Sequence, residues 1–288
     1  MSKQDPLTPE EFAKFTVGGD IVAVIEDERR RLGLDRGKMN ILDWGCGRGR
    51  AVLWLRERGY NALGVDSDPE VLVRGRGLLQ VLGHPADTLR HVQPNGRTDF
   101  EDGFFHLILS QNVLEHVEDL DQVAREMCHI TAEHGVGFHT CPARLRPIES
   151  HLRMPFVHWL PKSRARKAAI RAFVALGADP HWPELGSASG SERAETYYRY
   201  SRDKTFYRKP GLTRRSFEAA GFEVQFRTIS HSHLTTTGAR RFVARVIGAE
   251  AVGLALTHFG SPELLVRKPV GSAGAGGVGF IDTSRPPA

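Results

Sequence analysis

From Asn40 to Thr140, short apolar runs alternate with stretches whose apolar residues recur at helical spacing. Strands read at 40–44, 61–65, 104–110 and 135–140, with a weaker one near 88–92, and helices at 48–58, 68–82 and 119–133 between them. Such alternation admits few folds. Parallel strands need a long crossover between them, and a helix lying on the sheet is the usual way to supply it. An α/β fold is therefore expected, with a doubly wound, mostly parallel Rossmann-like sheet. At 288 residues it should be one domain carrying an insertion.

The flanking text divides as follows. Residues 1–35 read as N-terminal helices. In the first, Thr8 is the cap, Pro9 the first helical position and Glu11 the reciprocal acid, and Asp20 is expected to cap the second through Arg31. Residues 36–142 and 213–269 make the sheet domain. The second part holds a helix stopped at Gly221, a strand near 222–229, a helical stretch at 238–257 and a last strand in "PELLVRKP". Residues 143–212 break the alternation and are rich in Arg, Pro and aromatics, as an insert would be. Residues 270–288 are Gly-rich and expected to be disordered.

Composition narrows the function classes. Hydrophobic content of 40% and charged content of 25% are those of a globular protein, and no apolar run approaches the ~20 residues of a membrane span. The start lacks the apolar core of a secretory signal. Cys46, Cys128 and Cys141 cannot all pair, so a cytoplasmic setting is expected. The net charge of +5 is local. Residues 143–176 hold eight Lys/Arg against Glu149, a net of +7, which leaves −2 elsewhere. That distribution, without an RNA-binding module, argues against nucleic acid as the partner.

The first apolar run ends in "ILDWGCGRGR", a strand followed by a turn bare enough for a ligand to lie on its backbone. A dinucleotide fingerprint would place its third glycine at position 50, which is Arg, so the nicotinamide oxidoreductase reading is disfavoured. Ile41, Leu42, Asp43, Trp44, Gly45, Cys46, Gly47, Arg48 and Gly49 instead resemble motif I of the class I S-adenosylmethionine-dependent methyltransferases. "NALGVDSDPEVL" resembles that family's second strand, and "DFEDGFFHLILSQNVLEHVEDLDQVAREM" its fourth strand and next helix. The likeness is strongest to the small-molecule branch, type 11, which includes ubiquinone-biosynthesis O-methyltransferases.

The resemblance implies S-adenosylmethionine as cofactor and S-adenosylhomocysteine as product. It implies a pocket shaped by Asp43, Gly45, Cys46, Gly47 and Gly49, with Asp66 and Ser67 at the ribose, Gln93 or alternatively Asn95 near the adenine, and Gln111 and Asn112 near the methionine moiety. No acid precedes "DFEDGFF" where the family carries one for the adenine, and His106 stands where many relatives have Asp. A carboxylate at the position of Asp66 accepts from both ribose hydroxyls whatever the family.

The expected reaction is methyl transfer to a small acceptor, at an oxygen on a glycan, lipid-linked or natural-product intermediate. His116 is the candidate general base, since a neutral imidazole takes a hydroxyl proton near pH 7. Some ubiquinone-pathway relatives use a divalent ion. Glu115 and His116 would point about 100° apart on a helix, and no third ligand is evident, so no metal is expected. "HSH" at 231–233 is taken as incidental.

The insert is the expected lid over the acceptor. His151, His158, Trp159, Tyr197 and Tyr198 are its candidate substrate contacts, against the alternative that the aromatics build the lid's own core. In 161–176, Arg164, Lys167 and Arg171 lie opposite Ala165, Ala169, Ala172, Phe173 and Leu176. Three readings fit this basic amphipathic pattern: peripheral membrane contact through 154–176, binding of an anionic acceptor, or a packed helix with a solvated face. A non-catalytic membrane-docking protein that kept the fold is the competing class outside enzymes.

Overall fold

The computed structural model describes residues 12, 14–93, 95–227, 255 and 257–270. The expected helix at Thr8, most of the helical stretch at 238–257, the "HSH" histidines and all but the first residue of the tail lie outside the described residues. Seven strands form one sheet: β1 (Asn40–Trp44), β2 (Asn61–Asp66), β3 (Leu89–His91), β4 (Phe105–Gln111), β5 (Thr131–Thr140), β6 (Glu223–Arg227) and β7 (Glu263–Arg267), in the order β3-β2-β1-β4-β5-β7-β6. The first five run parallel, and β7 lies antiparallel between β5 and β6.

Helices cover both faces, which is why β1 and β4 are nearly continuous apolar runs. On one face α1 (Gly19–Arg31), α2 (Arg50–Arg56) and α3 (Pro69–Val81) pack over Ile41, Ala62, Leu107 and Phe138. On the other, α4 (Leu120–Ile130) and α7 (Pro210–Ala219) pack over Leu42, Val65, Ile108 and Val266. Asp68 caps α3 by accepting from the amides of Glu70 and Val71, and Asp119 caps α4 by accepting from Gln122. Asp20 does not cap α1. Gly18 is the cap, and Asp20 stands in the first turn, where the helix dipole favours a carboxylate.

Two boundaries move for backbone reasons. Gly49 is left-handed, so α2 begins at Arg50 rather than 48. α4 ends at Ile130, where the Thr131 hydroxyl donates to the Met127 carbonyl, and β5 starts at once. The pairing then slips from Phe105 with Thr131 to Leu107 with Val136, across a positive φ at His134. This bulge lets one strand absorb the polar "AEHG", whose Ala132 and Glu133 were expected to end the preceding helix.

Residues 143–212 build a core of their own, in which α5 (Arg164–Ala175) lies on α6 (Gly190–Asp203) around Leu152, Met154, Val157, Ile170, Val174, Ala194, Tyr197 and Tyr198. The face of α5 that packs is not the expected one. Arg166, Ile170 and Val174 are buried, while Ala165, Ala172 and Leu176 are exposed. Arg166 can lie in that stripe because its guanidinium donates to the carbonyls of His158, Leu160 and Ser201 and to the Ser201 hydroxyl. Since Ile170 is fully buried at the centre of this contact, Ile170→Ala is expected to cost about 3 kcal/mol in urea unfolding. A loss below about 0.5 kcal/mol would mean that α5 does not pack there.

Candidate active site

β1, β2 and β4 are parallel neighbours, so their carboxyl ends meet at one edge of the sheet. Chain order reverses between β1 and β4, the place where open α/β sheets leave a crevice. The turn after β1 sits at this crevice. The amides of Gly45 and Cys46 both donate to the Val65 carbonyl, at 2.8 and 2.9 Å. The Gly47 amide donates to Asp66 Oδ2 at 2.8 Å, and the Asp68 amide donates to Oδ1 at 2.9 Å. Asp66 thus fastens the glycine turn on one side and its own turn on the other.

Two of the glycines are required for different reasons. A Cβ on Gly49, at φ 77°, would lie 2.8 Å from Leu89 Cδ2, so this position closes the packing of α2 on the sheet. A Cβ on Gly47, at φ 54°, would meet only Val71 at 4.0 Å. What Gly47 leaves open is therefore space above the backbone, where a ligand can lie.

Asp43 is buried at the end of β1, and its carboxyl is pushed up to about 7, first by burial and then by the neighbouring charge of Asp66. Cys46 departs from expectation. Its thiol is buried against Gly64 and Val52 in the core, and burial raises its pKa well above that of a free thiol. It supports the turn from below and offers no side chain to a ligand. Ser67, Gln93, Gln111 and Asn112 are exposed at the same edge. Gln93 follows Val92, whose amide donates to the Asp66 carbonyl at 3.0 Å, and the Asn112 amide donates to the Thr140 carbonyl at 2.8 Å.

A second group of side chains lies one turn farther on. Val113 fills the space against Gly45, where an added Cβ would fall 2.4 Å from its Cγ2. Leu114–His116 then form a single 3-10 turn, not the regular helix assumed from the sequence. The insert is stitched onto this turn. The Phe206 amide donates to the Glu115 carbonyl at 2.6 Å, and the Arg208 guanidinium donates to the carbonyls of Leu114, Val117 and Glu118 at 3.2, 2.7 and 2.6 Å. His116 Nδ1 lies 2.5 Å from the Lys204 carbonyl. A carbonyl only accepts, so Nδ1 carries the proton and Nε2 of the neutral ring keeps a lone pair.

His151 comes in from the insert, its ring centroid 4.8 Å from that of His116 and its Nε2 3.9 Å from Glu115 Oε1. It supplies the third donor whose absence argued against a metal. Glu115 is 2% exposed, and its carboxyl is pushed up to about 7 by burial and, less, by Glu149. Glu149 is also buried. It accepts from the amides of His151 and Leu152 and from the Tyr207 hydroxyl, whose own pKa is driven well above the usual phenol range by burial and this carboxylate.

The other expected contacts disperse. His158 is buried against Tyr207, 5.0 Å between ring centroids, and burial pushes its pKa down to about 4. Trp159 is exposed and packs on Phe156. Tyr197 is fully buried under Trp182, and Tyr198 is nearly so, both in the insert's own core, so they are corrected from substrate contacts to packing residues. Glu149, Tyr207 and Arg208 were missed from the sequence, where nothing local distinguishes them from the other polar residues of an irregular stretch.

Residues 42–138 match the family model described as a methyltransferase domain. The matched stretch holds the glycine turn, Asp66 and the turn after β4. An uncharacterized methyltransferase of Mycobacterium sp. (strain JLS) is 32% identical over 130 residues, 45% of this chain and 48% of its own length. Norajmaline N-methyltransferase of Rauvolfia serpentina is 29% identical over 94 residues, 32% of each chain. A solved S-adenosylmethionine-dependent methyltransferase from Mesorhizobium loti superposes with a TM-score of 0.49 at 17% identity, covering 87% of this chain and 100% of that one. The chain spans about half the length, or less, of these two curated relatives.

The raised pKa of Asp43 has a measurable consequence. Between its ordinary 3.8 and about 7 the unfolded chain has released this proton while the folded protein still holds it, so stability falls as pH rises through that window and levels off above it. Asp43→Asn is expected to flatten this part of the curve, by roughly 4 kcal/mol at most between pH 4 and 8. Parallel urea-unfolding curves for the native and variant proteins would contradict the assignment.

Proposed function

We propose that this chain transfers a methyl group from S-adenosylmethionine to a small-molecule acceptor held between the sheet edge and the insert. The observation that carries the reading is the adjacency of two unlike sites. A bare glycine turn fastened by a carboxylate stands one short turn from a cluster of proton-handling side chains, with Val113 touching the first and leading into the second. The residues present fit the cofactor. Gly47 leaves its backbone uncovered, and each Asp66 oxygen that accepts from an amide retains acceptor capacity for a ribose hydroxyl.

S-adenosylmethionine brings a methyl group already activated on a sulfonium, so the protein has mainly to align the acceptor and keep water out. In this reading Asp66 and Ser67 hold the ribose, Gln93 borders the adenine, and Asp43, Gln111 and Asn112 shape the methionine end. His116, its Nδ1 proton committed to Lys204, presents Nε2 to take the proton of a hydroxyl acceptor. Tyr200 and His151, 5.5 Å apart between ring centroids, wall the acceptor side. O-methylation of a glycan, lipid-linked or natural-product intermediate is the finer form of the proposal.

One surface favours the lipid-linked form. Phe156 and Trp159, tilted with ring centroids 4.6 Å apart, are exposed on the insert, as are Ile148 and Arg153. Exposed aromatic rings in a basic segment suit an anionic membrane interface. Among the described residues no helix is long and apolar enough to cross a membrane. The double substitution Phe156→Ser, Trp159→Ser is expected to abolish co-sedimentation with vesicles of anionic phospholipid. Binding that survives it, or none by the native protein, would sink the membrane reading.

Calorimetry tests the cofactor. S-adenosylhomocysteine should bind, NAD should give no heat, and Asp66→Ala should weaken the homocysteine by about tenfold or more, as loss of charge-assisted hydrogen bonds requires. Because Asp66 also holds the turn, circular dichroism of the variant should show the fold retained. No binding by the native protein would refute the reading.

A further inference from the structure

We propose that Glu115, His116 and His151 form a divalent-metal site of the zinc type, with two ligands from the turn after β4 and the third from the insert. The metal-binding part rests on these side chains alone. The part played in catalysis rests on the function proposed above.

The candidate ligand atoms all lie within 4.8 Å of one another. A tetrahedral ion with bonds of about 2.1 Å needs ligands about 3.4 Å apart, so the three groups have to close by up to about 1.4 Å to share it. Two of them are waiting for a partner. Among the described residues, both oxygens of the buried Glu115 carboxylate, and His151 Nε2, lack any hydrogen-bond partner. Leaving such groups unmet in the interior is costly, and native proteins rarely do so without a ligand or a function to explain it.

The neighbouring groups are committed elsewhere. Arg208 spends its guanidinium on backbone carbonyls, and the Tyr207 hydroxyl is taken by Glu149. The supports around the cluster are those a metal site uses. His116 donates its Nδ1 proton to the Lys204 carbonyl, which fixes the tautomer that leaves Nε2 as a ligand. The backbone at His151 is pinned to the buried Glu149, which also holds Leu152 and Tyr207.

The donor set names the ion. Two imidazole nitrogens and one carboxylate oxygen suit zinc and its first-row neighbours, whereas magnesium and calcium call for oxygen throughout. Three protein ligands leave a fourth position open. At this place it would be filled by an oxygen of the acceptor, which restricts acceptors to those presenting a hydroxyl or another oxygen donor. A coordinated hydroxyl loses its proton to water more readily. His116 Nε2 cannot ligate and accept a proton at once, so the bound ion would replace the base role given to His116 above.

The site would also give the insert a role. His151 lies outside the matched methyltransferase domain, and an ion held by all three residues would fasten the insert over the sheet edge.

The test uses the full chain stripped with a chelator. Zn2+ is titrated by calorimetry and Co2+ by its visible d–d absorption. One ion per chain is expected, with the intense absorption of four-coordinate cobalt. His151→Ala and Glu115→Gln should each weaken zinc by about tenfold or more. Glu115→Gln removes an unpaired buried charge, so without metal it should melt no lower than the native protein, which separates loss of the site from loss of the fold. S-adenosylhomocysteine is titrated into the same metal-free samples. Its binding without zinc binding overturns the metal site and leaves the methyltransferase reading standing. Zinc binding without homocysteine binding supports the site and overturns the cofactor reading. Zinc affinity unchanged in both variants overturns the site outright.

Discussion

The Asp66 carboxylate holds the working edge of this protein together. It ends β2 and accepts the amide of Gly47 on one oxygen and the amide of Asp68 on the other. With the Val65 carbonyl, which takes the amides of Gly45 and Cys46, it fixes a turn whose backbone is stretched thin by glycine. Everything downstream is referred to that turn. Val113 closes on Gly45, the 3-10 turn at Leu114–His116 follows from Val113, and the insert is hydrogen-bonded to that 3-10 turn at Glu115. A chain of short contacts therefore runs from Asp66 to the Glu115 cluster.

The sheet was legible because its strands are buried on both faces. "NILDW" and "FHLILS" leave little choice but interior strands. The glycine turn and Asp66 were legible because their chemistry is local: residues a few positions apart make the turn, and a strand end supplies the acid. The antiparallel β7 between β5 and β6 was not, since "PELLVRKP" says that a strand exists without saying which neighbour it takes.

The insert resisted reading for a different reason. Its helix α5 shows a stripe of alanines that invites the name of apolar face, yet the buried stripe includes Arg166. Only the tertiary structure gathers the carbonyls of His158, Leu160 and Ser201 that make the burial of a guanidinium tolerable. The same holds for Glu115. In sequence it is one acid of an ordinary "NVLEHV". In the fold it is a buried carboxylate facing a histidine from another segment. Tyr197 and Tyr198, which looked suited to stacking on a substrate, are the hydrophobic filling that lets the insert stand as a unit.

The orientation of the cofactor relative to this cluster decides the roles of the two halves of the crevice, and a crystal structure of the full chain with S-adenosylhomocysteine measures it most directly. The ribose should sit on Asp66, the adenosyl group should lie over Gly47, and the sulfur should face Glu115, His116 and His151. A ribose placed away from Asp66, or a sulfur turned from that cluster, would contradict the assignment of the two halves of the crevice.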